Sequence, residues 1–243
     1  MQKNKVAIVT GGGKRLGRAI ALALAEHNFN VVVSYNKSCS GASLTVKQII
    51  EKGRSAYSIK ADISKETNVL RLVNSTLSKY GRVDLLINNS AIFIESPLDK
   101  TTQKIWDATI DINLKGSFLC SQAVAPIMLK QKEGKIINIA SVGGLVGWTK
   151  YFPYSISKAG IIMLTRLLAK ELAPHIQVNA IAPGYIAISK NEKHLKHKMP
   201  KGKILLQKYG SIKDITDMVI YLANTSEYIT GQVITIDGGR SIN

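Results

Sequence analysis

The chain has 243 residues, 45% of them hydrophobic, and carries 33 Lys and Arg against 16 Asp and Glu, a formal charge of +17. That length suits one large α/β domain with a substantial core; no run of about 18 apolar residues suggests a membrane span, and Cys39 and Cys120 alone exclude a disulfide framework or a cysteine metal cluster. The lysines are scattered over most segments, which favours a solvated basic surface over a nucleic-acid-binding face.

The first predicted strand covers residues 6–10 and begins too early to leave room for a signal peptide, so a cytoplasmic, soluble protein is expected. It ends in Thr10-Gly11-Gly12-Gly13-Lys14-Arg15-Leu16-Gly17, which opens a predicted helix at 15–28. Glycine permits positive φ and close backbone approach, and a helix N-terminus adds partial positive charge. Gly11, Gly13, Lys14, Arg15, Leu16 and Gly17 therefore form a candidate pyrophosphate cradle. The second strand, 31–35, runs into Ser34-Tyr35-Asn36-Lys37-Ser38. Dinucleotide sites commonly carry a carboxylate here for the adenosine ribose. This chain has none, and Lys14, Arg15 and Lys37 stand nearby. A 2′-phosphate is attracted rather than repelled, so NADPH (as NADP after reaction) is expected over NADH, beside Tyr35 and Asn36. A helix at 43–52 and a strand at 56–60 lead to Asp62 and Ile63, where Asp62 can accept from the adenine amine or cap the next helix, 65–80.

The fourth strand, 85–88, enters Asn88-Asn89-Ser90-Ala91. A long helix is predicted over 104–130, with Asn113 inside it as a polar residue that would more often distort or cap than catalyse. The fifth strand, 136–140, delivers Ser141 and Val142. The helix at 151–173 carries Tyr154 and Lys158 four residues apart, hence on one face. A phenol normally titrates near pH ~10. The Lys158 ammonium is expected to favour the ionised phenol and so to suit it to proton transfer near neutrality, with Ser141 hydrogen-bonding the substrate oxygen. A strand at 178–182 ends at Pro183-Gly184, and segment 185–203 follows with Lys190, Lys193, Lys196, Lys198, Lys201 and Lys203. Lying past a strand end, where open α/β sheets bind ligands, it reads as a substrate lid. His194 and His197 within it lack companion ligands, so no metal site is expected. A helix at 213–223 and a strand at 233–236 complete seven strands and six helices. The order predicts an α/β single domain over residues 1–243, a doubly wound seven-stranded parallel sheet with helices on both faces.

Together these motifs resemble the short-chain dehydrogenase/reductase family over essentially the whole chain: the Thr10–Gly17 turn, Asp62, Asn88-Asn89-Ser90-Ala91, Asn113, Ser141, Tyr154 with Lys158, and Pro183-Gly184. The resemblance implies a Rossmann fold and carbonyl reduction, with Tyr154 as general acid, Lys158 aiding its ionisation and holding the nicotinamide ribose, and Ser141 polarising the carbonyl. It implies a water relay through Asn113, a cofactor wall of Asn89, Ser90 and Ala91, and a nicotinamide side formed by Pro183, Gly184 and Ile186. Phe93, Val142 and Tyr185 are the further substrate candidates. Two departures stand out: Arg15 where glycine is usual, and Ser90-Ala91 where Ala-Gly is usual. The chain looks most like the bacterial 3-oxoacyl-acyl-carrier-protein reductases, with Lys130, Lys132 and Lys170 near helix ends to meet an acidic carrier. Arg15 and Phe93 are similar to features of pteridine reductases, and sugar or polyol oxidoreductases are a further alternative. A nucleotide-sensing or nucleic-acid-binding protein on the same fold is the rival of another class; the intact relay residues argue against it. Small-molecule or carrier-linked substrates, no membrane and a homotetramer built on the helices at 104–130 and 151–173 complete what the resemblance implies.

Overall fold

The computed structural model describes residues 4–187 and 203–243. Its main sheet holds β1 (Val6–Val9), β2 (Asn30–Tyr35), β3 (Ala56–Lys60), β4 (Leu85–Asn88), β5 (Gly134–Ile139), β6 (Ile176–Pro183) and β9 (Val233–Ile236). A separate pair joins β7 (Ile186–Ala187) to β8 (Gly210–Ser211). The main sheet has the order β3-β2-β1-β4-β5-β6-β9, and every pairing is parallel. The chain winds outward one way from β1 and then the other way from β4, so a crevice opens past the C-terminal ends of these two strands. This is the doubly wound, seven-stranded Rossmann sheet expected from the alternation of apolar runs and helix-period segments.

The period of two along each strand divides the core between two faces. Ala7, Val9, Val31 and Val33 face α1 (Arg15–Glu26), α2 (Cys39–Glu51) and α8 (Ile212–Ile220), whose Ile20, Leu24, Ile49 and Ile215 complete that cluster. Val6, Ile8, Val32 and Leu86 face the other way, onto Leu72 of α3 (Glu66–Tyr80), Val124 and Met128 of α5 (Gly116–Gln131), and Leu172 of α7 (Phe152–Leu172). Burial on both faces explains why β1 and β4 read as unbroken apolar runs rather than alternating ones.

The predicted strands at 56–60, 85–88 and 233–236 coincide with β3, β4 and β9. Two helical expectations need correction. The long helix at 104–130 is α4 (Gln103–Ile110), a π-turn over Asp111–Lys115, and α5. The wider turn adds one residue and shifts the helical phase once, a change too small to mark a boundary in a continuous apolar pattern. The helix expected from Ser43 begins at Cys39. Gly41 lets this extra turn settle directly on the Gly13 carbonyl, a contact between segments that local propensity does not register. A four-residue helix, α6 (Gly143–Val146), follows β5. Most of the lysine-rich segment expected as a lid, with His194 and His197, lies outside the described residues.

Candidate active site

The crevice between the two halves of the sheet is a cleft of about 1030 Å³. Its outer end is the turn after β1. Gly11 has φ +64°, and a Cβ there would stand 2.8 Å from the Ser90 hydroxyl, so the backbone itself forms the wall. Gly17 is equally constrained, since a Cβ would run into the Gly11 carbonyl and the Asn89 amide. Thr10 ties this turn to the end of β4: its hydroxyl accepts from the backbone N–H of Asn89 at 2.9 Å and of Ser90 at 3.0 Å, and donates to the Ile87 carbonyl. The Asn89 amide in turn donates to the Thr10 carbonyl at 2.8 Å. Arg15, at the head of α1, holds φ +49°, a left-handed conformation that costs a non-glycine residue about 1–2 kcal/mol.

Gly11, Gly13 and the run from Lys14 to Gly17 all line the cleft, as do Tyr35, Asn36 and Lys37 at the end of β2. Asp62 and Ile63 line it beyond β3. One Asp62 oxygen accepts from the Ser64 backbone at 3.1 Å and from the Ser64 hydroxyl at 2.7 Å, so this carboxylate also shapes the turn into α3. Asn89, Ser90, Ala91 and Phe93 come from the β4 end, and Pro183, Gly184, Tyr185 and Ile186 from the β6 end. Six cations line the cleft, Lys14, Arg15, Lys37, Lys150, Lys158 and Arg240, against Asp62 as the one acid among the described residues. A cleft with glycines at positive φ, backbone walls and this charge balance fits a pyrophosphate-bearing dinucleotide.

At the inner end Ser141, Tyr154 and Lys158 converge. Ser141 follows β5, accepts from the Gly143 N–H at 3.0 Å, and hydrogen-bonds the Tyr154 phenol. Pro153 in the first turn of α7 aids the start of the helix that presents Tyr154 and Lys158. Gly144 lets α6 lie against the α7 backbone at Lys158, where a Cβ would stand 2.6 Å from the Lys158 carbonyl carbon. The expected electrostatics of this pair need correction. The Lys158 ammonium donates to the Ile139 carbonyl at 2.6 Å and lies 5.8 Å from the centre of the Tyr154 ring. Burial raises the phenol above its ordinary value, with the Ser141 hydrogen bond opposing that rise, and burial brings Lys158 down to about 8. Desolvation dominates both groups.

Asn113 does not line the cleft. It is buried within the π-turn, where its amide oxygen accepts from the Ile92 N–H at 2.8 Å while its amide nitrogen donates to the Ile92 carbonyl and the Ser157 hydroxyl, each at 3.0 Å. Ser157 donates at 2.7 Å to the Tyr154 carbonyl, so Asn113 braces the helix turn that carries the phenol. Val142 is fully buried and forms no part of the cleft wall.

The candidates Phe93 and Tyr185 share the space around Tyr154 with Trp148, Tyr151 and Arg240, which the sequence motifs do not single out. Phe93 stacks on Tyr151 at 4.1 Å and meets Tyr154 edge-on at 4.7 Å. Trp148 lies parallel to Tyr154 and to Tyr185, each at 6.3 Å. Arg240, near the C-terminus, sits over the Tyr185 ring at 3.9 Å. The three-residue spacing of Trp148, Tyr151 and Tyr154 is a signal for this box; Arg240 has none, because only the fold brings it here.

The short chain dehydrogenase family model matches residues 5–200. The chain is 41% identical over 238 residues to a 3-oxoacyl-[acyl-carrier-protein] reductase of Synechocystis, covering 97% of this chain and 96% of the relative. It is also 41% identical over 241 residues to one of Staphylococcus epidermidis, with 97% and 98% covered. Among solved structures, an acetoin dehydrogenase from Salmonella typhimurium superposes with a TM-score of 0.89 at 32% identity, covering 98% of this chain and 96% of that one. With its Rossmann sheet and its matched length, the chain belongs to the short-chain dehydrogenase family of oxidoreductases.

Proposed function

We propose that the protein is an NADPH-dependent reductase of 3-oxoacyl thioesters carried on an acyl carrier protein. The observation that carries this reading is the convergence of Ser141, Tyr154 and Lys158 at the inner end of a cleft whose outer end is the glycine turn. The 40–41% identical relatives with that printed activity support the substrate class. Lys14, Arg15 and Lys37 beside Asn36, with no carboxylate at the end of β2, support NADPH over NADH.

The nicotinamide, when bound, supplies the hydride that reaches the carbonyl carbon. Tyr154 gives its phenolic proton to the carbonyl oxygen as negative charge develops there, and Ser141 hydrogen-bonds the same oxygen. A phenol held protonated by burial suits the donor role in reduction. Lys158 would place positive charge near the tyrosinate that results and would hold the ribose of the bound cofactor. Asn113 acts through position, by holding Ser157 and the Tyr154 backbone. Lys130, Lys132 and Lys170 are exposed near helix ends and supply cationic contacts for an acidic carrier.

A second reading, a pterin substrate, draws on Arg15 in the phosphate turn and on Phe93, a half-exposed aromatic at the rim. A substrate panel separates the two. With NADPH, acetoacetyl thioesters are expected to turn over at least tenfold more efficiently in kcat/KM than dihydropterins, sugars or polyols, and NADPH to exceed NADH by a similar factor. Turnover of dihydropterin alone, or equal efficiency with NADH, contradicts the corresponding half of the proposal.

A further inference from the structure

Among the described residues, two donors on side chains that line the cleft have no hydrogen-bond partner. The indole Nε1 of Trp148 and the Nη1 of Arg240 are both buried and unpaired. An unpaired buried donor costs about 1–3 kcal/mol, and more when charged. Arg240 packs its guanidinium carbon 4.6 Å from the centre of the Trp148 ring and 3.9 Å from that of Tyr185. Ring faces offset part of the desolvation of the cation, yet leave its N–H directions unanswered.

The arrangement is built rather than incidental. Arg240 follows Gly238 and Gly239, at φ +64° and +83°, and the Asp237 carboxylate accepts from the backbone N–H groups of Gly239 at 2.9 Å and Ser241 at 2.7 Å. The acid nearest in sequence, Asp237, is thus engaged in fixing the turn that presents the guanidinium. Trp148 is fixed from the other side: its backbone N–H donates to the Ser155 hydroxyl at 2.9 Å, and its ring lies 6.3 Å from that of Tyr154 at 14°. Both groups donate and neither accepts, so whatever satisfies them must bring an oxygen acceptor.

We infer that Trp148 and Arg240 form a second oxygen-binding subsite, selecting carbonyl substrates that carry another acceptor oxygen one or two carbons from the carbonyl being reduced. This rests on the reading of the protein as a carbonyl reductase. A 3-oxoacyl thioester has such an oxygen, the thioester carbonyl. With the 3-oxo group at Tyr154 and Ser141, the second oxygen would lie toward the indole, whose ring centre is 6.3 Å from that of Tyr154. Arg240 and Trp148 are then specificity residues, rejecting simple ketones because those leave both donors unpaired.

The test compares ethyl acetoacetate and 2,3-butanedione with 2-hexanone, a ketone with no second oxygen, using NADPH. The parent enzyme is expected to favour the two acceptor-bearing substrates by about tenfold or more in kcat/KM. Arg240→Met should cut that preference about tenfold, Arg240→Lys should restore part of it, and Trp148→Phe, which keeps the aromatic ring, should cut it several-fold. A preference ratio unchanged in Arg240→Met and Trp148→Phe, even with both rates lowered, overturns the subsite and leaves a packing role. If the parent reduces butanedione but no 3-oxoacyl compound, the thioester reading fails while the subsite stands. If the parent reduces no carbonyl compound, calorimetric titration of ethyl acetoacetate decides: binding weakened in Arg240→Met supports the subsite, and equal binding refutes it.

Discussion

Lys158 is the residue where position and stability are most directly opposed. A lysine almost fully buried, with its value brought down to about 8, is destabilising whenever it is charged. Folded and unfolded forms are both protonated below about pH 8, so the burial cost is fully present there; between about 8 and the ordinary lysine value the unfolded chain binds more protons, and stability from this group rises with pH. Lys158→Met is therefore expected to abolish turnover yet raise stability at pH 7 by roughly 1–3 kcal/mol, a gain that shrinks toward pH 10. Thermal melts of the unliganded protein at the two pH values check this, and a variant destabilised at pH 7 would contradict it. The i,i+4 spacing puts Tyr154 and Lys158 on one helix face, but that spacing is common, and Ser141 joins them in the sequence only through the ordered motif set that resembles the family. The sign of the phenol's shift is not legible in the sequence, because it depends on burial that only the assembled cleft creates.

At the scale of elements, polar residues bind strands to helices. Asn88 of β4 and Asn138 of β5 are opposite in register, and the Asn88 amide donates to Asn138 at 2.9 Å and to the Ser121 hydroxyl of α5 at 3.0 Å. Asn138 donates onward to Thr165 of α7 at 2.9 Å. One buried chain thus joins β4, β5, α5 and α7, the elements that carry Asn89, Ser141 and Tyr154. Asn138→Ala would leave an orphaned amide and a small void, costing about 2–4 kcal/mol, with kcat falling only as far as the unfolded fraction dictates. Urea unfolding gives the first number; a loss under about 0.5 kcal/mol, the range of neutral surface changes, would show that the network relaxes. Strand positions were legible because β-branched apolar runs need cover on both faces. The π-turn was not: Asn113 reads as a polar interruption of a helix, and only the structure reveals that the widened turn directs it to Ile92 and Ser157.

Across the whole molecule, the doubly wound parallel sheet followed from the alternation of strands and helices, whereas Arg240, remote in sequence from Trp148, entered the site only through the path of the C-terminal segment past β9. Among the described residues no helix is long and apolar enough to cross a membrane. On α7, Ile156, Met163 and Leu167 form an exposed apolar stripe at helical spacing, accompanied by Phe118 on α5. That stripe supports the homotetramer proposed for these two helices, and paired Met163→Glu and Leu167→Glu substitutions are expected to lower the sedimenting mass. A parent that sediments as a monomer would remove the argument. The central claim is that a phenol at the inner end of the cleft delivers the proton that completes carbonyl reduction. Its most direct measurement is NADPH oxidation with an acetoacetyl thioester by the parent and by Tyr154→Phe, alongside melting curves and NADPH binding. Tyr154→Phe is expected to fold and bind NADPH as the parent does but to turn over about 10²–10⁴-fold more slowly; a variant that retains the parent rate would contradict proton delivery by Tyr154.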